Sequence, residues 1–184
     1  MKYFTLVLLL LSGMAMAIEE PEYTVESVVE HYEIRRYGAV LVAETIVASD
    51  FSDAGNQAFR ILASYIFGAN QSKAKIAMTA PVNQLKSSIG YLVQFTMPKK
   101  YTLDTLPNSN DTRVHLRQVP ARRVAVFTYS GSWSESRYKQ KLESFREELQ
   151  KNKLETIGEP VLARYNSPFQ IWFLRRNEIW LELK

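Results

Sequence analysis

Alternating and helically spaced hydrophobic residues follow one another in blocks along this 184-residue chain. Alternation over several residues predicts a strand, and apolar residues at every third or fourth position predict a helix. The predicted strands span 23–46 with a break near Gly38, 74–82, 89–98, 114–131 with an interruption at Pro120, 160–168 and 176–184.

Two helices are predicted between these strands. The first begins at Asp50 or Ser52, residue types that cap helix N-termini, and runs to about Phe67, with Gly68 as a C-terminal stop. The second runs over about 134–151.

The elements follow the same plan twice. From Tyr32 to Phe51 is 19 residues and from Val114 to Glu135 is 21, so each strand pair precedes its helix by a similar distance. Each half reads strand-strand-helix-strand-strand, with one additional strand at the front. Two such halves place two helices against one antiparallel sheet that curls or closes, an α+β fold.

The two predicted helices differ in the width of their apolar faces. The second has one stripe, enough to dock on a sheet, formed by Tyr138, Leu142, Phe145 and Leu149. The first has a comparable stripe, formed by Phe51, Ala54, Ala58, Ile61, Leu62 and Tyr65. Beside it runs a second stripe, formed by Phe59, Ala63, Ile66 and Phe67 with Asn56 at its edge. Another segment of the chain, a partner or an apolar ligand must cover this second stripe.

The stretch AKIAMTAPV at 74–82 contains no obvious acid, base, nucleophile or metal ligand. Its length suits one strand that Pro81 ends, because proline removes a ladder donor. The two faces of this strand would carry Ile76, Met78 and Ala80 on one side and Lys75, Ala77 and Thr79 on the other.

The first 17 residues have the layout of a secretory signal peptide, with Lys2, the apolar run TLVLLLL and the small residues Ala15 and Ala17. We expect cleavage before Ile18, export to the periplasm or beyond the cell, and no membrane span after cleavage. Residues 18–184 suffice for a single domain. The chain has no cysteine, so its core must hold by packing alone.

Signatures of catalysis or of nucleic-acid binding are sparse. There is no cysteine nucleophile or G-x-S-x-G motif, and SGSWS at 130–134 reads as a turn before a helix. His31 and His115 have no second ligand at metal spacing. The basic pairs at 35–36, 122–123 and 175–176 lie far apart in sequence. We therefore expect no enzyme, no metal site and no nucleic-acid partner.

The chain is rich in aromatic groups that suit a flat hydrophobic ligand, with 10 tyrosines, nine phenylalanines and three tryptophans. The segment 167–183 gathers Phe169, Trp172, Phe173 and Trp180 around Arg175 and Arg176. It is either a core strand with a bulged loop before it or a loop that closes over an amphipathic acid.

Four segments resemble the SOUL haem-binding protein family, namely HYEIRRY at 31–37, AETI at 43–46, KIAMTAPV at 75–82 and PFQIWFLRRNEIWL at 168–181. They occur in the family's order and with its spacing, from about residue 23 to the C-terminus. The resemblance implies a distorted antiparallel β-barrel of two pseudo-symmetric halves with one helix each. It also implies binding of haem or another tetrapyrrole at the first helix and at the loop before the C-terminal RRNE strand.

The ligand-binding residues implied by this resemblance are Asn56, Phe59, Arg60, Ala63, Ile66, Phe67, Phe169, Gln170 and Trp172. Basic residues hold the propionates in haem-binding relatives, but the matching positions here are the uncharged Asn56, Ser64 and Gln170. Arg60 or Lys73 could substitute for them.

No histidine matches the axial ligand of some family members. The iron would need Tyr65 or another tyrosine, or haem would lie in an apolar cleft without a protein ligand. The stretch AKIAMTAPV would be mainly structural, packing behind the first helix.

Two other functions stay open. The two-repeat barrel also resembles the effector domains of drug-sensing transcription regulators, which recognise amphipathic cations with a buried carboxylate. A carrier or sensor of another hydrophobic small molecule would need Glu44 or Glu178 to face inward. A protein-interaction module would instead use the second helix stripe as its partner surface.

Overall fold

Nine strands and two α-helices form the regular structure of residues 18–184, the part of the chain that the computed structural model describes; the predicted signal peptide at 1–17 lies outside it. In chain order the elements are β1 (Tyr23–Val29), β2 (Tyr32–Tyr37), β3 (Val40–Val47), α1 (Phe51–Ile66), β4 (Val82–Ser87), β5 (Gly90–Thr96), β6 (His115–Val119), β7 (Arg122–Tyr129), α2 (Glu135–Lys151), β8 (Thr156–Arg164) and β9 (Asn177–Leu183). A short 3₁₀ turn, Trp172–Leu174, lies between β8 and β9. Neither α1 nor α2 has the length and apolar character needed to cross a membrane.

The strands form one antiparallel sheet in the order β1-β2-β7-β9-β8-β4-β5-β3-β6. The order is symmetric about the central β8–β4 pair: β9 matches β5, β7 matches β3, and β2 matches β6. The first strand of each half pairs with the other half, β2 with β7 and β6 with β3. The predicted repeat, its additional front strand and the α+β class are therefore confirmed.

Both helices begin where the sequence predicts. The carboxylate of Asp50 accepts hydrogen bonds from the backbone N–H groups of Ser52 and Asp53, 3.0 and 2.9 Å long. The hydroxyl of Ser134 accepts one from Arg137 N at 3.3 Å. These caps satisfy backbone donors that have no partner within the helix.

The two helices cover the same face of the sheet, one over each half. Leu62 of α1 lies in one core cluster with Val93 of β5, and Phe145 of α2 lies in another with Ile179 of β9. The rings of Phe51 and Tyr138 stack at 5.1 Å between their centres and join the N-terminal ends of the helices. A groove therefore runs between α1 and α2 above the central strands.

The opposite face of the sheet curls inward without closing. Strands from both halves line one cavity of about 240 Å³ on this face, including Gln94, Arg117, Arg122 and Trp180. The terminal strands β1 and β6 do not pair with each other. The architecture is the distorted antiparallel barrel that the family resemblance implies.

The strand predicted at 74–82 is wrong. Residues 74–78 have no regular structure, and Thr79 forms only an isolated bridge with Glu19. The backbone groups of this segment bind elsewhere: Ile76 N donates to Ile66 O at 2.8 Å, and the side chain of Asn70 bonds the N–H and C=O of Ala74. Ile76 is buried but Met78 is 43% exposed. The segment packs against the end of α1, and the strand begins only at β4.

Candidate ligand-binding groove on the helical face

Helix α1 and its C-terminal cap expose large apolar side chains along one flank. Phe59 and Phe67 are 37% and 57% exposed, and Ala63 lies one turn from each of them. The ring centre of Phe59 lies 5.5 Å from that of Phe95. Phe59, Ala63, Phe67 and Met78 together are called the α1 strip below. Exposed apolar side chains that lie side by side mark a surface for an apolar partner.

The chain itself covers the rest of the second stripe. Ile66 is 1% exposed. A small hollow beside it is lined by Met78, Phe95 and their sequence neighbours. Ile66 therefore belongs to the core, and Ala63, 6% exposed, lies at the edge of the surface. The second stripe is thus divided between the core and solvent.

A polar row borders the α1 strip. Asn56, Arg60 and Ser64 follow one another at intervals of four residues, so their side chains line one edge of the helix. All three are exposed. Arg60 brings the only charge in this row of three.

Residues 165–176, which we call the late loop, form a stiff connection between β8 and β9. Arg175 donates from Nε to the carbonyl of Gln170 at 2.9 Å and from Nη2 to the carbonyl of Pro168 at 2.7 Å. The side chain of Asn166 accepts from Arg176 N at 2.6 Å. The loop carries five exposed large apolar residues, Phe169 (95%), Ile171 (54%), Trp172 (56%), Phe173 (54%) and Leu174 (57%).

A row of side-chain contacts links α1 to the late loop. Arg164, the last residue of β8, lies so close to Gly55 of α1 that a Cβ there would come within 2.5–3.0 Å of its guanidinium. The Cζ atoms of Arg164 and Arg175 lie 5.2 and 4.4 Å from the ring centre of Trp133. We call the space bounded by α1, Trp133 and the late loop, with Arg164 at its base, the helix–loop groove.

The base of this groove is electropositive. Burial lowers the pKa of Arg164 to about 10, which leaves its guanidinium charged at neutral pH. Its Nη2 donates to the side-chain oxygen of Gln84, while its buried Nε finds no partner in the described part of the chain, 18–184. Arg137 packs against Gly131 in the turn that carries Trp133. An amphipathic acid therefore finds apolar walls and a cationic base in one place.

The alternative function of binding an amphipathic cation requires an inward-facing carboxylate. Such carboxylates are present, but arginines already neutralise them. Glu178 is fully buried and accepts from Arg35 at 3.1 Å, Arg176 at 2.9 Å and Tyr165 at 2.8 Å. Glu44 pairs with Arg117 at 2.7 Å. Neither carboxylate is free to hold a cationic ligand, because each is bound by arginine.

The side chains considered as iron ligands lie outside the groove. Tyr65 is 1% exposed and donates its hydroxyl to the carbonyl of Pro107 at 2.8 Å. Burial raises the pKa of Tyr65 to about 12, so a phenolate is disfavoured there. His31 lies in the β1–β2 turn, and His115 of β6 lies opposite Glu44 of β3 in the strand register, on the face of β3 opposite to the buried Ala43. Within residues 18–184 there is no cluster of three His, Cys, Asp or Glu side chains that could hold a metal ion.

Two partly open hollows of several hundred Å³ lie elsewhere in the domain. A cavity of about 430 Å³ is lined by residues 19–22, which cross the sheet, together with 38–41 and 96–103. A second, of about 380 Å³, lies at the other end of the groove between the helices, beyond Phe51 and Tyr138. The helix–loop groove, in contrast, is bordered by the exposed side chains of the late loop and is open to solvent.

Comparison with known proteins identifies the family. The sequence model described as SOUL heme-binding protein matches residues 18–182. The chain belongs to the SOUL heme-binding protein family. Among individual SOUL proteins, human Heme-binding protein 2 is 29% identical over 160 residues, which are 82% of this chain and 77% of the human protein.

Solved structures share the fold of this SOUL domain at low sequence identity. The EcmrR C-terminal domain superposes with a TM-score of 0.62 at 13% identity, over 88% of this chain and 98% of that domain. An uncharacterized conserved protein from Listeria innocua superposes with a TM-score of 0.64 at 10% identity, over 84% and 92% of the two chains. Identities this low show a common fold alone.

Sequence reasoning missed three residues of the groove, namely Arg164, Trp133 and Gly55, whose lack of a Cβ leaves room for the Arg164 guanidinium. Trp133 lies in the SGSWS motif, which was interpreted only as a turn. Arg164 ends an apolar strand, which is an ordinary place for a solvent-facing arginine. The available signal was Gly55 in the middle of a predicted helix. Glycine there lowers helix stability by about 1 kcal/mol relative to alanine, so its presence indicates that another group approaches the backbone closely.

Proposed function

We propose that this protein binds haem or another tetrapyrrole in the helix–loop groove, without catalysing a reaction on it. Membership of a family described as heme-binding, with human Heme-binding protein 2 among its relatives, supports the class of ligand. One observation carries the location: the α1 strip and the exposed late loop are linked across Arg164 and Trp133. A flat macrocycle between them would cover apolar side chains from both sides.

The groove residues fit the macrocycle and its carboxylates rather than the iron. Phe59 and Trp172 offer aromatic surface, and Arg164 and Arg60 offer positive charge. Asn56 and Gln170 border the groove as polar, uncharged groups. Bound haem would add iron redox and ligand chemistry to this apolar site. Binding should depend little on an axial protein ligand, since Tyr65 is buried and hydrogen-bonded elsewhere.

The proposal of binding without catalysis rests on how the acidic groups are used. A general base must be free to accept a proton within reach of a substrate. Glu178, the fully buried carboxylate, is held by two arginines, a tyrosine and a tryptophan. Such a group stabilises the fold and is poorly suited to proton transfer.

An absorbance titration tests this function. Residues 18–184 are titrated with hemin and, in parallel, with metal-free protoporphyrin IX. We expect saturable one-to-one binding of both ligands with similar affinity. Phe59→Ala should weaken both about tenfold, because it removes roughly 1.5 kcal/mol of apolar burial.

The control variant is Leu103→Ala, which truncates a side chain that lines the 430 Å³ cavity and is 50% exposed. It should leave both affinities unchanged. Absence of saturable binding would contradict the function, and weakening by Leu103→Ala but not by Phe59→Ala would contradict the location.

The 430 Å³ cavity favours a second candidate, a carrier of another hydrophobic small molecule. Leu41, Met97 and Leu103 contribute apolar surface to it, and Lys99 and Glu22 contribute opposite charges. A ligand in this cavity would be sensitive to Leu103→Ala, so the same pair of variants separates the two functions.

We further infer that the protein acts after export, with residues 18–184 as its mature domain. The sequence of residues 1–17 supports this. Residues just after the expected cleavage point are fixed to the fold, since Glu19 O accepts from Ala80 N at 2.9 Å and Glu20 pairs with Arg176 at 3.0 Å. Intact mass of the protein from its native host tests the inference: a chain that begins at Ile18 supports it, and retention of Met1 contradicts it.

A further inference from the structure

The turn before α2 carries an indole ring that two guanidinium groups contact. The Cζ atom of Arg164 lies 5.2 Å from the ring centre of Trp133, and that of Arg175 lies 4.4 Å from it. The indole Nε1 donates to Asn177 Oδ1 at 2.8 Å, which fixes the ring at the start of β9. Stacking on an aromatic ring holds an arginine in place while leaving its N–H edge free for hydrogen bonds.

Both guanidinium groups keep unused donors. An arginine side chain has five N–H donors. Arg175 uses Nε and Nη2 on the carbonyls of Gln170 and Pro168. Arg164 binds the Gln84 oxygen through Nη2, and its buried Nε has no partner among residues 18–184. A buried donor without a partner costs free energy, so the protein itself does not fully satisfy this guanidinium.

Within residues 18–184 no carboxylate pairs with Arg164 or Arg175, whereas carboxylates neutralise two other arginines of the domain. Arg35 pairs with Glu33 at 2.6 Å and with Glu178 at 3.1 Å, and Arg176 pairs with Glu178 at 2.9 Å. Tyr129 lies near Arg164, but burial raises the pKa of its phenol to about 12, so it supplies no compensating negative charge at neutral pH. Two guanidinium groups that share one ring without an acid provide a site for a carboxylate ligand.

We propose that Arg164 and Arg175 form a dicarboxylate-binding site at the foot of the late loop, and that it holds the acidic edge of the tetrapyrrole. This inference rests on the proposed function and deepens it. It explains why Asn56, Ser64 and Gln170 need not be charged. The Arg175 guanidinium, which donates to the backbone carbonyl of Gln170, brings a positive charge to that place. The positive charge comes from the end of β8 and the base of the loop.

The test compares two metal-free porphyrins in one detergent-containing buffer, protoporphyrin IX with two propionates and etioporphyrin with alkyl groups only. Both are titrated against wild type, Arg164→Gln, Arg175→Gln and Arg122→Gln by tryptophan quenching and absorbance. Arg122 is the matched control, since its guanidinium also lies over a tryptophan, 5.4 Å from the Trp180 ring centre, but on the inward face of the sheet.

Each of the groove variants should bind protoporphyrin IX about tenfold more weakly, as expected for a lost charge-assisted hydrogen bond. Their affinity for etioporphyrin should stay within about twofold of wild type on the same physical grounds, because no carboxylate is involved. Arg122→Gln should match wild type for both ligands. A variant that merely loosens the loop would weaken both porphyrins equally, which separates charge from structure.

The outcomes distinguish this inference from the function on which it rests. If wild type binds both porphyrins and the groove variants bind protoporphyrin IX unchanged, the dicarboxylate site is overturned while tetrapyrrole binding stands. If wild type binds neither porphyrin, the proposed function is overturned and the inference with it. Should Arg164→Gln fail to fold, Arg175→Gln, which leaves the contact between Arg164 and Gly55 in place, decides the question alone.

Discussion

The carboxylate of Glu178 illustrates how single residues neutralise charge inside this domain. It is fully buried and accepts hydrogen bonds from Arg35, Arg176, Tyr165 and Trp180. A buried charge is tolerated only when it is paired and hydrogen-bonded. This network fixes the end of the late loop, since Arg176 is the loop's last residue.

Replacing Glu178 by glutamine should lower the free energy of unfolding by about 3 kcal/mol, because it leaves buried arginine charge uncompensated. Urea unfolding followed by circular dichroism measures the change. Glu182→Gln is the control: Glu182 lies four residues on along the same strand and face and acts on Arg122 only through its charge. If Glu178→Gln lowers the free energy of unfolding no more than Glu182→Gln does, this account of the network is contradicted.

Buried tyrosines predict a loss of stability at alkaline pH. Burial raises the pKa of Tyr65 to about 12 and that of Tyr129 to about 12, above the ordinary value of about 10. The folded state therefore favours the neutral phenol. Its contribution to stability is complete below pH 10 and is lost as the pH rises from 10 through 12.

Urea unfolding at pH 9, 10 and 11 should show this decline, and Tyr65→Phe should make it shallower. A stability curve that is flat over this range, or a Tyr65→Phe variant with the wild-type slope, would count against it.

At the scale of elements, the late loop combines a rigid backbone with an exposed surface. Arg175 braces it from within, but Phe169 and Trp172 are 95% and 56% exposed and contribute little to the core. Side chains that are costly to expose and unnecessary for folding are expected to serve a ligand.

The double variant Phe169→Ser/Trp172→Ser should therefore unfold within about 0.5 kcal/mol of wild type, as exposed positions usually do. It should bind protoporphyrin IX at least tenfold more weakly, because apolar contact is lost on one side of the groove. Ile89→Ser, which replaces a residue 66% exposed in the β4–β5 turn, should change neither property. Wild-type porphyrin binding by the double variant would remove the loop from the site.

The elements that could be predicted are those with strong local signals. Both helices follow from apolar spacing and start signals: Asp50, one of the two predicted start residues, caps α1, and Ser134, the predicted approximate start, caps α2. The failure at 74–82 has a physical cause: alternation describes side chains, whereas a ladder needs a neighbouring strand. Here Asn70 and the end of α1 bind the backbone instead.

At the scale of the whole molecule, the two halves are interdependent. β2 and β6 each pair with a strand of the opposite half, and β4 pairs with β8 at the centre. Neither half can satisfy its strand edges alone.

Residues 18–109 and 110–184, prepared as separate chains, should each give a poorly dispersed NMR spectrum and little protection from amide exchange. Mixed in equal amounts, they should recover the spectrum of the intact domain. A half that folds alone would show that the pairing between halves is not needed for stability.

The repeat and the family resemblance predicted this architecture, and the resemblance predicts a site at α1 and the late loop. They could not predict that Arg164, from the central strand β8, would lie against Gly55 and share Trp133 with Arg175. Apart from Arg164 and Arg175, these residues lie 31 or more positions apart in the sequence. Their contacts depend on how both helices lie on one curled sheet. Only a three-dimensional structure brings such residues together.

The most direct test of the account uses the paramagnetism of hemin. Amide spectra of ¹⁵N-labelled residues 18–184 are recorded with increasing hemin, and the line broadening of each signal is compared with that caused by diamagnetic protoporphyrin IX. The account predicts selective broadening at 55–67 of α1, at Trp133 and at 168–175 of the late loop. Broadening centred instead on 19–22 and 96–103, around the 430 Å³ cavity, would contradict it.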